Sequence, residues 1–243
     1  MNEAKFKEAS LELFNSDSFT KNIDYIRGTA FTNTCVTKWN SITRNALLNN
    51  PKDILTIHDI ITAYTTILDD FNNPIIINSE DYIINNIVDY VDDLGIKTFC
   101  VNLQSVFDGR ITTPFLIVDH TNKEAFTKYY KVLNYLHGQA YIYKKPHAWR
   151  NYYNFKNKLL TMVSFKLNSA NGNKTVKKDI DHGYNLTTHK LQGSTFTNMA
   201  IDLVDIVKPT TESGYQMTND PILRNKLIYV ALSRATNKVL LKY

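Results

Sequence analysis

The sequence predicts an α/β domain interrupted by a β-rich insertion. Two observations carry this reading. Apolar strand patterns lie near both ends of the chain, at residues 23–32 and again at Met199–Ile206 and Val239–Leu241. Between them, short apolar runs alternate with turn signals, as in a small barrel. The 243 residues suffice for one large domain or a domain with an insertion. Residues 1–50 and 183–243 are therefore read as parts of one domain, and 51–182 as the insertion.

The elements follow in order. Residues 3–15 predict a short helix with Phe6, Leu11 and Phe14 among its apolar positions, and 23–32 a buried strand. Asn33 or Thr34 then caps a helix to about Leu48, with Val36, Trp39, Asn40 and Thr43 at helical spacing. Asn49-Asn50-Pro51 stops it. In the middle, Ile54–Ile61, Ile75–Ile77, Lys97–Leu103 and Phe115–Val118 predict strands, and Ser79-Glu80 opens a helix through Val91. Helices are predicted from Lys123 to about Leu136 and from Pro146 to Val163, proline being favoured in a first turn. Asn168–Lys174 predicts a polar loop and Pro221–Arg234 a last helix.

Composition excludes several classes. Two cysteines, Cys35 and Cys100, leave no disulfide framework or Cys-rich zinc site, so reduced thiols and a cytoplasmic location are expected, in a host cytoplasm for a viral source. No apolar run reaches the ~18–20 residues of a membrane span. Met1–Ser10, with Glu3, Lys5, Lys7 and Glu8, lacks a signal-peptide pattern. The histidines show no ligand spacing, so no metal site is expected, and without a long apolar run no membrane partner is expected either.

The net charge of +5 conceals a segregation. Residues 1–120 hold 9 Lys+Arg and 16 Asp+Glu, whereas residues 121–200 hold 13 and 3. A polyanion would approach the second stretch, and the aromatics within it (Tyr129, Tyr130, Tyr141, Tyr143, Trp149, Tyr152, Tyr153 and Phe155) offer rings for unpaired bases or for packing. The alternative is a solvated helix face.

Two motifs in the tail carry chemistry. Thr188-His189-Lys190-Leu191-Gln192-Gly193-Ser194-Thr195-Phe196 offers a hydroxyl, an imidazole and an ammonium at the end of a strand, then backbone donors at Gly193 and Ser194. Tyr229-Val230-Ala231-Leu232-Ser233-Arg234-Ala235 ends an apolar helix turn in one guanidinium, suited to a transferring phosphoryl group. The competing reading pairs Arg234 with Asp202 or Asp205.

Together these resemble motifs V and VI of superfamily 1 helicases, most of all the RecD/Pif1-like branch and its phage Dda-type members. Arg27-Gly28-Thr29-Ala30-Phe31-Thr32-Asn33, with Val36, Asn40 and Arg44, resembles a strand–helix of that type. Trp149–Lys156 resembles its helix before motif V. The resemblance spans most of the chain and is strongest at 23–47 and 183–236. It implies a second RecA-like domain of P-loop type, interrupted by an SH3-like β-barrel insertion. It further implies Arg234 as the catalytic arginine finger, with Gly193 and Ser194 beside it at ATP. Thr188, His189, Lys190 and Asn33 would lie on DNA. The expected partners are single-stranded DNA and an N-terminal RecA-like domain, in cis or in trans.

The departures are as informative. No G-x-x-x-x-G-K-[ST] loop occurs, and no Asp-Glu pair follows an apolar strand. Thr195 stands where many relatives carry an acid, and the preceding motif of the family would lie upstream of residue 1. ATP and magnesium are therefore expected only with a partner motor domain, and the chain alone is expected to be inactive. The motor half of a 5′–3′ DNA helicase competes with a non-enzymatic module, derived from a helicase, that binds single strands or a replication protein. A purely structural viral protein is the third reading.

Overall fold

The computed structural model describes residues 1–68, 73–169, 172–208 and 220–243. Two compact units are present, one formed by Met1–Lys52 with Gly183–Tyr243 and the other by Asp53–His182.

The first unit begins with helix α1 (Glu3–Phe14), which Asn2 caps by accepting the Lys5 N–H, and the short α2 (Asp17–Lys21). Strand β1 (Ile26–Ala30) is buried at all five positions. A 3₁₀ turn at Ile23–Tyr25 takes the place of the strand expected from residue 23. Helix α3 (Asn33–Leu47) starts one residue earlier than expected, because the Thr32 hydroxyl accepts the Cys35 N–H at 3.2 Å.

In the second unit come β2 (Ile60–Ala63), β3 (Ile67–Leu68), β4 (Pro74–Ile76), β5 (Asp81–Val91), β6 (Lys97–Ser105) and β7 (Phe115–Val118). They are followed by α4 (Lys123–Tyr143), α5 (Pro146–Lys158), β8 (Leu159–Leu160), β9 (Phe165–Ser169), β10 (Gly172–Val176) and β11 (Ile180–His182). Several expectations are corrected here. The expected helix at 79–91 is the long strand β5; its β-branched and aromatic residues suit a pleated surface, and it pairs with β6 along its length. The expected loop at Asn168–Lys174 falls mostly on the β9–β10 hairpin, with residues 170–171 outside the described residues. The strand expected from Ile54 starts only at Ile60. Before it the Asp59 carboxylate accepts the Thr56 N–H at 2.8 Å and folds the chain into a turn. Helix α4 runs on to Tyr143, and α5 stops at Lys158 where the chain enters β8.

Six strands form one sheet in the order β11-β2-β5-β6-β7-β8. Its two edges meet just beyond β8, where the Asp179 N–H donates to the Thr161 carbonyl at 2.8 Å and the Asp179 carboxylate accepts the Thr161 N–H at 3.0 Å. The sheet is thus curled around a core that includes Ile61, Tyr82, Ile84, Val101, Ile117 and Leu160. The neighbours Val118 and Leu159 point outward, as strand alternation requires, onto a second cluster with Tyr129, Leu133 and Tyr152 of α4 and α5.

The chain returns to the first unit with β12 (Asn185–Thr187), β13 (Phe196–Asp202), α6 (Leu203–Val207), α7 (Pro221–Leu232) and β14 (Ala235–Lys242). The strand expected to Ile206 ends at Asp202, whose carboxylate accepts the Asp205 N–H at 3.2 Å and starts α6. The four strands form an all-parallel sheet in the order β12-β1-β13-β14. Met199 and Ile201 pack on Leu227 and Ala231 of α7, while Asp202, of opposite parity, meets Trp39 of α3. Helices therefore cover both faces, which parallel strands need. Among the described residues no helix is long and apolar enough to cross a membrane.

Edge strand β12 is completed by a side chain. The Asn40 carboxamide accepts the Asn185 N–H at 2.6 Å and donates to the Asn185 carbonyl at 3.1 Å, in place of a further strand. The Asn185 side chain in turn lies over Gly28, where an added Cβ would come within 1.6 Å of its Oδ1. Asn40→Ala leaves both backbone groups of Asn185 buried without this partner, a loss of about 1–3 kcal/mol each way of counting. The expected outcome is a urea midpoint shifted down with an unchanged slope.

Candidate functional site

The sequence-predicted residues fall into two groups at opposite ends of the parallel sheet. Thr188, His189, Lys190 and Asn33 lie at the carboxyl ends of β12 and β1. Gly193 and Ser194 precede the amino end of β13, and Arg234 precedes that of β14. Strand β13 spans the interval with seven residues, roughly 20 Å at ~3.3 Å per residue.

At the carboxyl end, Thr188 is fully buried, and its hydroxyl donates to the Ala30 carbonyl at 3.2 Å. Its role is to fasten the segment to β1. Leu191 is buried in the cluster with Leu227 and Ala231. Between these two anchors a 3₁₀ turn (Thr188–Leu191) presents His189, exposed, and Lys190, half-exposed. The His189 ring lies 5.9 Å from that of Phe31. Asn33 is exposed in the first turn of α3.

The turn between β1 and α3 is held by Asp205. Its carboxylate accepts the N–H groups of Phe31 at 2.8 Å and Thr32 at 2.7 Å, and the Thr32 hydroxyl at 2.9 Å. Beneath it lies Asp202, buried, which accepts from Trp39 Nε1 at 2.9 Å and Lys242 Nζ at 2.8 Å. Lys242 also reaches Glu3 at 2.9 Å. Burial works against the Lys242 charge, but its hydrogen bonds to Asp202 and Glu3 outweigh this and hold the ammonium above the ordinary lysine range. Burial, reinforced by Asp202 and Asp205, pushes the Cys35 thiol well up, so it stays protonated and unreactive.

At the amino end, Gly193 has φ +89°, a left-handed conformation that L side chains rarely adopt, with open space around it. The Ser194 N–H donates to the Leu191 carbonyl at 3.1 Å. Helix α7 stops at Ser233, and the Arg234 carbonyl accepts the Phe196 N–H at 2.8 Å. The Arg234 guanidinium donates through Nη1 to the Ser194 carbonyl at 3.3 Å, and through Nε and Nη2 to the Ser233 hydroxyl at 3.3 and 3.0 Å. These three bonds leave two N–H groups of the five-donor fork without a partner among the described residues. Asp202 and Asp205 are engaged elsewhere, so the carboxylate pairing of Arg234 considered from sequence is not what the geometry has. The structure brings Arg234 to Ser194 and its neighbour Gly193, and keeps them apart from His189 and Asn33.

Sequence reasoning gave no role to Asp205 as the organiser of the β1–α3 turn, or to Phe31 beside His189. An acid just after a strand carries no local sign of a turn 173 residues away. Among the described residues no group of three or more His, Cys, Asp or Glu could hold a metal ion.

Neither a protein-family model nor a curated protein sequence matches this chain. Solved structures of Pif1 helicases are similar to it. Pif1 of Candida albicans is 12% identical with a TM-score of 0.47, over 97% of this chain and 48% of that one. Bacteroides Pif1 in complex with ADP-AlF3 and single-stranded DNA is 12% identical with a TM-score of 0.42, over 100% and 46%. A structure of two coordinating Pif1 helicases at forked double-stranded DNA gives 11% and 0.44, over 98% and 42%. The chain thus spans less than half the length of these three helicases, and the likeness is a distant one of fold.

The raised Lys242 sets a pH dependence. A lysine whose folded pKa exceeds its unfolded value stabilises fully below the unfolded value, ~10.4, and loses that contribution as pH rises through the folded one. Thermal melting of wild type and Lys242→Met should therefore differ most below pH ~10.4 and converge as pH rises through the raised folded value. A constant gap across that range would show that the ammonium contributes by packing alone.

Proposed function

We propose that this chain is the C-terminal motor half of an ATP-dependent 5′–3′ DNA helicase, acting with an N-terminal RecA-like domain supplied in cis or in trans. The observation that carries the reading is the placement of Arg234. It sits at a helix end against Ser194, with no carboxylate partner among the described residues and with part of its fork open. One continuous segment, Thr188–Phe196, joins it to the His189 edge across the sheet.

The donor set fits a nucleotide phosphate. A guanidinium with open N–H groups is matched to phosphoryl oxygens, and Gly193 lets backbone approach closely. The same donor set does not fit magnesium, so the metal ligands and the P-loop belong to the partner domain. ATP bound there supplies the phosphoryl group whose transfer drives translocation. Arg234 stabilises charge on that group, a contribution of ~10³–10⁵ in rate once the phosphates are held by others. His189, Lys190 and Asn33, with the Phe31 ring, take the single strand at the opposite edge. Thr188 and Leu191 fix both ends of the linking turn, so a shift at one edge is passed to the other. The curled sheet of the second unit corresponds, in this reading, to the SH3-like insertion.

The pure chain should hydrolyse ATP at background rate with or without DNA; turnover stimulated by single strands would overturn the division of labour. In the complete motor, Arg234→Ala should abolish turnover, with DNA affinity and melting temperature unchanged. Arg234→Lys should rescue poorly, since an ammonium lacks the planar fork. A variant that melts lower but keeps full activity per folded molecule would make Arg234 a structural residue. It would also favour the non-enzymatic binding module.

A further inference from the structure

The second unit carries an exposed surface that none of the chemistry above uses. From Ala125 to Lys178 the sequence contains 54 residues with eleven Lys+Arg and no Asp or Glu. Helices α4 and α5 form an antiparallel pair within this run. Helix α4 buries Ala125, Tyr129, Leu133, His137 and Ala140. His137 packs between Trp149 and Tyr152 of α5, with ring separations of 5.9 and 5.7 Å, which fixes the pair. The stripe opposite the buried one presents Lys131, Tyr135 and Ile142, all exposed, with Tyr135 at 64%.

At the tip of the pair seven consecutive residues, Tyr141–His147, are exposed. This tip is an ordered turn. Lys144 closes α4 in the left-handed conformation, φ 52°, with its N–H on the Ala140 carbonyl at 3.0 Å, and Pro146 opens α5. Tyr141 and Tyr143 at the tip are exposed, Tyr143 at 57%, and about two turns into α5 Tyr153 is exposed on one side while its ring packs on Trp149 at 6.1 Å with Lys174 Nζ 5.2 Å from its centre. Lys131, Lys144, Lys145 and Arg150 are exposed and form no ion pair among the described residues. The nearby bases that do have acids, Lys156 on Asp179 and Lys158 on Asp93, lie at the other end of α5.

We propose that the α4–α5 tip is a binding surface for single-stranded nucleic acid, separate from the His189 edge. The cations neutralise phosphates, and the exposed tyrosine rings stack on unpaired bases. Charge complementarity and ring type select this occupant. A helix face that buries itself in a lipid bilayer presents a contiguous stripe of Leu, Phe or Trp, and residues 141–147 contain none of these, Ile142 being their one aliphatic chain. The surface goes beyond the motor reading. It needs neither ATP nor Arg234.

The test measures binding of fluorescein-labelled dT20 to the whole chain by anisotropy, without nucleotide, between 50 and 200 mM salt. The variants are Lys144→Glu/Lys145→Glu/Arg150→Glu, Tyr143→Ala/Tyr153→Ala, and, at the sheet edge, His189→Ala/Lys190→Ala. The charge variant should lose at least about tenfold at low salt, and its salt slope should fall by roughly 2, three contacts at ~0.7 each. The tyrosine variant should lose about fivefold or more and bind a duplex of the same length as wild type does. Melting temperatures of the two tip variants should not move, because Tyr143, Lys144, Lys145, Arg150 and Tyr153 are exposed. Oligonucleotides carrying 5-iododeoxyuridine should crosslink to Tyr141, Tyr143 or Tyr153. Unchanged affinity in both tip variants overturns the proposal, as do crosslinks confined to Phe31 and His189. Binding to phosphatidylserine vesicles without affinity for dT20 overturns it in favour of a membrane surface. Failure here leaves the Arg234 assays untouched, and failure of those assays leaves this binding intact.

Discussion

A buried carboxylate at the end of a central strand organises the first unit. Asp202 is shut away from water, where an unpaired charge would cost several kcal/mol. Its partners come from elements far apart in sequence: the indole of α3, the ammonium at the end of β14, and the first turn of α6. Glu3 of α1 joins through Lys242 and Lys38. Once Asp202 sets the start of α6, Asp205 is placed to fold the turn between β1 and α3. The presentation of Phe31 and Asn33 thus depends on a charge that touches neither.

The segment Thr188–Phe196 is the mechanical link of the molecule. The Thr188 hydroxyl, donating to the Ala30 carbonyl of β1, and Leu191 under α7 hold it at two points, and its exposed residues lie between and beyond them. Gly193 supplies the one backbone conformation that lets the chain turn toward β13. His189 and Arg234 therefore stand at the two ends of a single sheet. A rigid parallel sheet is a poor hinge, so movement of one edge relative to the other is movement of the whole unit against whatever it meets.

How much of this was legible in the sequence follows from the range of each interaction. Val36, Trp39, Asn40 and Thr43 sit at helical spacing and are all buried on one side of α3. The strand Phe115–Val118 matches its apolar run residue for residue. The pattern misled at Asp81–Val91, where a polar Asn-Asn pair interrupts the alternation and the second half of β5 is exposed. Strand pairing with β6 decided that segment, and pairing is not local. The site divides in the same way. His189, Gly193, Ser194 and Arg234 are singled out by motif, and their placement at the strand ends follows local signals, whereas the burial of Thr188 and the engagement of both candidate acids depend on partners more than 150 residues away.

Strand β1 is central, yet both its neighbours are encoded near the far end of the chain; Thr29 meets Leu186 at a separation of 157 residues. During synthesis at ~5–20 residues per second, β1 waits roughly 8–30 s for its first partner. The second unit is complete before Gly183 emerges, and its pairing partners, including β11 with β2, all lie within Asp53–His182, so it can fold during that wait. The apolar strand Ile26–Ala30 remains unpaired on both edges meanwhile. The order of genetic encoding thus makes the first unit the late and aggregation-exposed step of folding, and a nascent chain arrested before residue 185 has an inserted unit but no sheet to carry it.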